Sequence, residues 1–232
     1  TFTNVHVVWQ DGTSEIKYTR FDGATWDSPI SLEALSGTTA SYPTIAVNGL
    51  GNIYVAWLRG TNTIVYKFST TGGESWSAIE TVRTGSTCYA PQIEVDTTGT
   101  PHVLWYTSSD VGYAKRTGTN AWGLINEDIA PSLSGNSSNP SLAVSATKLY
   151  AAWQNDGGND DIYFASATNG LTAFSAPVNV SSMTGDSVRP SMAYDATNGV
   201  LYLAWQDSNS GNQDIWMAVS NNDGTSWTSP IN

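Results

Sequence analysis

Five short apolar segments, each ending in tryptophan, constrain the fold of this chain more than any other feature of its sequence. The segments read VHVVW, IYVAW, PHVLW, LYAAW and LYLAW, and they end at Trp9, Trp57, Trp105, Trp153 and Trp205. The first four tryptophans lie 48 residues apart, and the last interval is 52 residues. Self-similarity at a fixed period of this length is typical of chains that repeat one supersecondary unit.

Each repeat contains further predicted strands around the tryptophan segment. A second apolar strand follows a polar loop and begins at Ile16, Ile64, Val111, Ile162 and Ile215. The next turn ends at Trp26, Trp76, Trp122, Phe174 and Trp227. From the second repeat onward, a strand led by proline precedes the tryptophan segment, in YPTIAVN, APQIEVD, NPSLAVS and RPSMAYD. Four short strands in a repeat of about 40–50 residues are typical of a β-propeller blade.

We therefore predict an all-β fold, a five-bladed β-propeller of four-stranded antiparallel blades, in a single domain of residues 1–232. Its strands are named A to D within each blade, strand A being innermost. The first repeat supplies only B, C and D, so the first blade is predicted to lack its own innermost strand. The predicted blades cover about residues 1–35, 36–84, 85–132, 133–182 and 183–232.

Two expectations about packing follow from this architecture. An open ring would leave a strand edge exposed, and we therefore expect the last blade to pack against the first. The repeated tryptophans are expected to form the core between neighbouring blades, because aromatic side chains bury large areas.

Charge and composition exclude several classes of partner. The formal net charge of −11 would repel the phosphate backbone of DNA or RNA, so no nucleic-acid partner is expected. No run of eighteen apolar residues is present, so no membrane insertion is expected. The single cysteine, Cys88, leaves no intrachain disulfide, and stability must come from packing.

Two turns carry a resemblance to a known family. STTGGESW, residues 69–76, and SNNDGTSW, residues 220–227, resemble the Asp-box, or BNR repeat, of sialidase-like β-propellers: Ser-x-Asp-x-Gly-x-x-Trp. Thr71 and Asn222 stand at the Asp position, and TRFDGATW, residues 19–26, is a looser copy. In that family the box is a C–D turn on the face opposite the active site. The resemblance therefore implies a structural role for these turns, on what we call the box rim.

The resemblance also implies what sialidase activity would require. Sialidases of this family hold a carboxylate with three arginines and use a tyrosine nucleophile assisted by a glutamate, with an aspartate as acid/base. Arg59, Arg83 and Arg189 are the arginines expected on the rim opposite the box rim. Arg59 and Arg83 flank one blade instead of surrounding the axis, and the family's Arg-Ile-Pro motif is absent. Likeness in fold alone does not establish sialidase activity.

Glu94 breaks the rule of its repeat position. It occupies the A-strand slot that holds Ala46, Ala143 and Ala193 in the other repeats. A general glycosidase needs two carboxyl groups across the scissile bond, and Glu94 is the catalytic candidate if this chain is such an enzyme. The alternative is that Glu94 only borders a hydrated central channel.

The B–C loops are rich in Asp, Asn and Gly: QDGTSE, LRGTNT, YTSSD, QNDGGNDD and QDSNSGNQD. Tight turns demand much of this composition, because these residues accept left-handed backbone angles and bond their own main chain. Asp156, Asp160 and Asp161 are candidate calcium ligands, but they do not form an EF-hand loop. No cofactor and no metal is predicted, with Ca²⁺ as the one candidate ion.

The B–C loops share one rim with the D–A connections, and we call it the B–C rim. Carboxylates, amides and aromatic faces around a concave end suit a hydroxyl-rich ligand. The predicted ligand-binding residues are Asp11, Arg59, Glu94, Tyr106, Asp156 and Asp207. We expect the acids to accept hydrogen bonds from ligand hydroxyls and Arg59 to donate hydrogen bonds to an anion or hydroxyl. Tyr106 is expected to stack on a sugar ring.

These residues predict a non-catalytic binding or adhesion module, lectin-like, with a glycan as its partner. We expect it outside the cell or at the cell surface, with further domains of a larger surface protein as possible neighbours. One alternative is a sialidase-like glycoside hydrolase, and another is a purely structural repeat module.

Overall fold

The computed structural model describes residues 4–169, 173–208 and 211–232, with residues 124–126 described by their backbone alone. Every regular element in this part of the chain is a β-strand, and the strands form five antiparallel sheets in chain order. In these residues no helix is long and apolar enough to cross a membrane. The prediction of an all-β fold built from five successive sheets is confirmed.

The sheets are built from consecutive strands. The first contains β1 (Val5–Asp11), β2 (Glu15–Phe21) and β3 (Ile30–Ala34). The second contains β4 (Ala40–Val47), β5 (Ile53–Arg59), β6 (Thr63–Ser69) and β7 (Glu80–Thr84). The third contains β8 (Tyr89–Val95), β9 (Pro101–Tyr106), β10 (Val111–Gly118) and β11 (Ala121–Asn126). The fourth contains β12 (Ser137–Val144), β13 (Lys148–Asn155), β14 (Asp161–Thr168) and β15 (Val178–Asn179). The fifth contains β16 (Ser187–Asp195), β17 (Val200–Asp207) and β18 (Asp214–Ser220).

Strand order within each sheet follows chain order, so each sheet is a meander. Strands β4, β8, β12 and β16 are the A strands, and each forms one edge of its sheet. The first sheet begins with a B strand, β1, and has no A strand in the described part of the chain, as predicted. In the fifth sheet a single bridge between Met217 and Ile231 takes the place of the D strand that the other sheets have.

The core lies between neighbouring sheets, and the B strands of the three middle sheets are buried on both faces. Val55 and Trp57 pack toward the first sheet, whereas Tyr54 and Ala56 pack toward the third. Cys88 is buried in the same cluster between the second and third sheets. The predicted tryptophan core is confirmed for the four residues that are fully buried, Trp57, Trp105, Trp153 and Trp205.

Closure of the ring is not shown by the contacts among the described residues. Neighbouring inner strands pack in the order β1, β4, β8, β12 and β16. Apolar side chains on the outward faces of the two end sheets remain exposed, namely Val5, Val7, Tyr202 and Ile215. The expected packing of the last blade against the first is therefore not shown.

The turns that resemble the Asp-box close by hydrogen bonds from their own side chains. The Ser69 hydroxyl accepts from the Gly73 N–H at 2.9 Å, and the Thr71 hydroxyl accepts from the Ser75 N–H at 2.9 Å. In the last repeat, Asn222 Oδ1 accepts from the Ser226 N–H at 3.0 Å. Threonine and asparagine thus supply the acceptor that aspartate would supply at this position of the turn.

Candidate functional site

Each A strand is interrupted by a β-bulge where it leaves the B–C rim. The pairing register shifts at this point, and the residue before the proline has a positive φ in all four A strands. These bulge residues are Tyr42 (φ 53°), Ala90 (φ 38°), Asn139 (φ 49°) and Arg189 (φ 55°). A left-handed conformation is costly for a non-glycine residue, and the position before proline normally prefers extended angles. Bulges re-aim side chains, and they are over-represented beside active sites.

The bulges bring chemically different side chains to the same height of the fold. Tyr42 is 52% exposed, and Arg189 is exposed as well. Asn139 is half-buried, and its Nδ2 donates to Gln154 Oε1 at 3.0 Å. These side chains stand at the B–C-rim end of the A strands, which pack beside one another in chain order, and we call this end the mouth.

A tyrosine cluster lies beside this mouth. Tyr89 and Tyr106 are paired across β8 and β9, and their rings stack with centroids 5.1 Å apart and an interplanar angle of 30°. Burial, followed by the nearby Tyr42 and Tyr89, raises the pKa of Tyr106. Tyr106, which the sequence predicts as a stacking residue, is therefore half-buried within an aromatic group drawn from two blades.

The acids predicted at this rim are held by neighbouring groups. Asp11 forms an ion pair with Lys17. Asp156 accepts hydrogen bonds from the backbone N–H and the side-chain Nδ2 of Asn136. Asp207 is 0% exposed and accepts a hydrogen bond from Ser187 Oγ. The prediction that Asp207 contacts a ligand at the surface does not fit its burial.

Two of the three predicted rim arginines are also held by neighbouring groups. Arg59 pairs with Glu33, whose Oε2 also accepts from Trp57 Nε1 at 2.6 Å, so Arg59 joins the first sheet to the second. Arg83 is buried, pairs with Glu127 at 2.9 Å, and lies 5.5 Å from the centre of the Trp105 ring. Arg189 has no ion pair among the described residues, which leaves one arginine, and not a converging triad, available at the mouth.

The polar fourth B–C loop is structural in its contacts. Asp161 accepts from Asn179 Nδ2 and from Ser181 Oγ, both at 2.9 Å. A Cβ on Gly135 would lie 2.4 Å from the Gly157 backbone nitrogen, which shows how closely the D–A loop packs on this loop. Among the described residues, no group of three or more His, Cys, Asp or Glu side chains is placed to hold a metal.

Glu94 lies on the A strand of the third sheet, opposite His102 in the pairing register. It is half-buried, and burial raises the pKa of its carboxyl to about 7. A hydrogen bond from the Val95 backbone opposes this shift, and Glu94 has no ion pair among the described residues. Glu94 follows Ala90 by four positions, so at about 3.3 Å per residue it lies about 13 Å below the B–C rim. Glu94 is therefore closer to the box rim than to the mouth.

The two histidines belong to aromatic packing. His6 Nδ1 lies 2.7 Å from the Tyr18 hydroxyl, and His102 Nδ1 lies 2.6 Å from the Tyr113 hydroxyl. Burial lowers the pKa of His102 to about 4, against the opposing effect of Asp96. Both histidine rings thus pack against a tyrosine and hydrogen-bond to its hydroxyl.

Sequence reasoning missed the bulge residues as a group. The recurring proline was visible, but a residue before proline is normally read as extended, so the left-handed conformation was not expected. The available signal was the variety of the residues before proline, Tyr, Ala, Asn and Arg, in an otherwise uniform repeat.

Comparisons with known proteins identify the fold. No protein-family model matches this sequence, and no curated protein matches it. An ulvan lyase, described as a new family of polysaccharide lyase, matches with a TM-score of 0.67 and 14% identity over 93% of this chain. A protein of unknown function from Dyadobacter fermentans matches with a TM-score of 0.65 and 13% identity, covering 97% of this chain and 71% of its own.

A third solved structure extends the comparison to another carbohydrate-active protein. The α-L-arabinanase of Penicillium chrysogenum, complexed with arabinobiose, matches with a TM-score of 0.58 and 15% identity, over 82% of this chain and 66% of its own. The chain spans about three fifths of the ulvan lyase, 61% of its length. Likeness at such identity shows the fold alone. This chain therefore has an all-β, propeller-like fold of five successive antiparallel sheets, shared with proteins that cleave polysaccharides.

Proposed function

We propose that this chain is the substrate-binding propeller of a carbohydrate-active enzyme, with a polysaccharide bound across the mouth at the B–C rim. The observation that carries the proposal is the set of left-handed bulge residues, Tyr42, Ala90, Asn139 and Arg189. Backbone strain of this kind is concentrated at binding and catalytic sites, where the fold holds side chains in otherwise costly positions. A polysaccharide substrate would place the chain outside the cell or on its surface.

The chemistry of the mouth suits sugars. Tyr42, Tyr89 and Tyr106 provide aromatic faces, which cover the apolar faces of sugar rings. Arg189 and Asn139 provide hydrogen-bond donors for hydroxyl or anionic groups. This set replaces most of the residues that the sequence predicts for the same role.

Cleavage is supported by two features. Structures with the same fold are named as a polysaccharide lyase and an arabinanase. Burial raises the pKa of Glu94 to about 7, which suits proton transfer near neutral pH, and no cation pairs with Glu94 among the described residues. We assign Glu94 as the candidate acid/base for a sugar unit that extends from the mouth about 13 Å toward the box rim, because an acid/base must lie within hydrogen-bond reach of its substrate.

A second candidate function is glycan binding without cleavage. Hydrolysis generally uses two carboxyl groups on either side of the scissile bond. At the B–C rim, Asp11, Asp156 and Asp207 are already held by other groups. This pairing favours a binding module, and the function experiment must separate the two.

The test is incubation of the purified chain with neutral and with uronate-containing polysaccharides. New reducing ends report any cleavage, and ultraviolet absorbance of unsaturated products reports elimination. We expect new reducing ends, reduced about tenfold or more in Tyr42→Ala and Arg189→Ala, because both variants remove substrate contacts. Glu94→Gln should abolish cleavage and leave binding intact.

Leu50→Ala is the matched control, since Leu50 is 85% exposed in an A–B turn at the opposite rim. Binding of a polysaccharide without new reducing ends would establish the second candidate. If the chain neither binds nor cleaves any of the polysaccharides, both candidate functions are contradicted.

A further inference from the structure

Strand β1 presents an open edge. It pairs with β2 on one side, and within residues 4–169, 173–208 and 211–232 no strand pairs with its other side. In the other four sheets the equivalent B strand is covered there by an A strand. An uncovered edge offers a row of backbone donors and acceptors to an incoming strand.

The other sheets define what fits that edge, because they share one pairing register. Ala46 pairs with Tyr54, Glu94 with His102, Ala143 with Tyr150, and Ala193 with Tyr202. Two residues earlier, a small or polar side chain stands at Thr44, Gln92, Ser141 and Ser191. By repeat position, His6 of β1 corresponds to Tyr54, and Val8 corresponds to Ala56.

Hydrogen bonds between A strands orient the backbone. The Ile93 N–H donates to Thr44 Oγ1 at 3.4 Å, and the Met192 N–H donates to Ser141 Oγ at 2.9 Å. These N–H groups therefore point away from their B strands. Because successive N–H groups of a strand point to opposite edges, those at positions 44 and 46 point toward the B strand.

We infer that the free edge of β1 binds one extended, Pro-led strand of the A type represented by Ala40–Val47. The occupant pairs its equivalent of Thr44 with Val8 and its equivalent of Ala46 with His6. The hydroxyl of the occupant's residue equivalent to Thr44 then lies beside β4. The Ile45 N–H can donate to this hydroxyl, as the Ile93 N–H donates to Thr44. Strand addition of this kind takes its affinity from main-chain bonds and its specificity from the register.

The test uses the 232-residue chain and a synthetic peptide of residues 40–48, ASYPTIAVN, extended with lysines for solubility. We expect saturable binding, a rise in melting temperature with peptide concentration, and slowed amide hydrogen exchange at His6 and Val8. Exchange at Trp9, whose N–H by the same alternation points to β2, should not change.

Two N-methylated peptides test the predicted backbone pairing. Methylation at positions 44 and 46 should abolish binding, because it removes the N–H groups that face β1. Methylation at positions 45 and 47 should leave the affinity within about threefold, because those N–H groups face away. A scrambled peptide of the same composition is the control and should not bind.

Three results would overturn the inference. One is failure of the unmodified peptide to bind. Another is equal binding of both N-methylated peptides, which would show side-chain adhesion without strand pairing. The third is binding that leaves amide hydrogen exchange at His6 and Val8 unchanged. That result would place the peptide at another site, for example in the place of β4.

Discussion

The Glu94 carboxyl makes the stability of this protein depend on pH. Burial raises its pKa from the ordinary value of 4.5 to about 7, so the folded state binds this proton more tightly than the unfolded state does. The free energy of unfolding should therefore fall as pH rises from about 4.5 through about 7. We expect Glu94→Gln to be more stable than the wild type above about pH 8 and to gain little at about pH 4, as measured by urea denaturation.

Glu74→Gln is the control for that experiment, since Glu74 is an exposed glutamate in a box turn. Glu74→Gln should leave the difference between the free energies of unfolding at about pH 4 and about pH 8 the same as in the wild type. A Glu94→Gln variant with the same pH dependence as the wild type would show that Glu94 is as well solvated in the fold as in the unfolded chain.

An unusual residue can be recognised from the sequence where the repeat supplies a comparison. Glu94 stands out because three other repeats have alanine at its position, and its role stays a prediction. The bonds of Asp156 and Arg59 were not predictable, because their partners lie on another loop or another sheet. Asp156 is held by Asn136, and Glu33, which pairs with Arg59, comes from another blade. A loop sequence alone does not show which polar groups the neighbouring loop will satisfy.

At the scale of the element, the box turns lie tightly against aromatic rings of the preceding blade. A Cβ on Gly224 would lie 2.0 Å from the Phe164 ring, and Gly224 has a φ of +78°. We expect Gly224→Ala to lower the free energy of unfolding by about 1–3 kcal/mol, because it adds both backbone strain and a steric clash. Chemical denaturation followed by tryptophan fluorescence measures the change.

Gly49→Ala is the matched control for the turn variant. Gly49 lies in an A–B turn with no heavy atom within 4 Å of an added Cβ, and its φ is not in the left-handed region. Its stability should stay within about 0.5 kcal/mol of the wild type. Equal effects of the two substitutions would contradict the packing described for the box turn.

The strands themselves followed the sequence pattern closely, while their irregularities did not. Short, nearly continuous apolar runs placed the B strands, because those of the three middle sheets are buried on both faces. The fourth strand is weak in the last two blades, with only Val178–Asn179 in one and a bridge at Ile231 in the other. Short edge strands of this kind carry too few apolar residues to produce a readable period.

At the scale of the whole molecule, equivalent positions differ according to whether a neighbouring sheet covers them. Ile162 and Ile215 each stand near the start of a C strand, yet Ile162 is 0% exposed and Ile215 is 67% exposed. We expect Ile162→Ala to lower the free energy of unfolding by about 2–5 kcal/mol, because it leaves a cavity. Ile215→Ala should cost under about 0.5 kcal/mol.

Urea denaturation of both variants tests whether the outer face of the fifth sheet is open. A loss at Ile215 as large as that at Ile162 would show that another surface covers this face in solution. The pair serves as its own control, since the substitution and the repeat position are the same.

The number and order of the sheets could be predicted because the repeat is regular, but closure could not. Whether the last sheet meets the first depends on the small angle between each pair of neighbours, and the spacing of tryptophans does not encode that angle. The faces of Val7 and Ile215 remain exposed although their sequence resembles that of the buried faces. Sequence alone therefore predicted a closed ring that the described contacts do not show.

The burial of Cys88 gives this molecule a chemical reporter of its own opening. The only thiol of the chain lies between the second and third sheets, and burial raises the pKa of Cys88, so a maleimide or disulfide reagent should leave the native protein unmodified. Modification would then proceed only when these sheets separate, and its rate would record how often that boundary opens under native conditions.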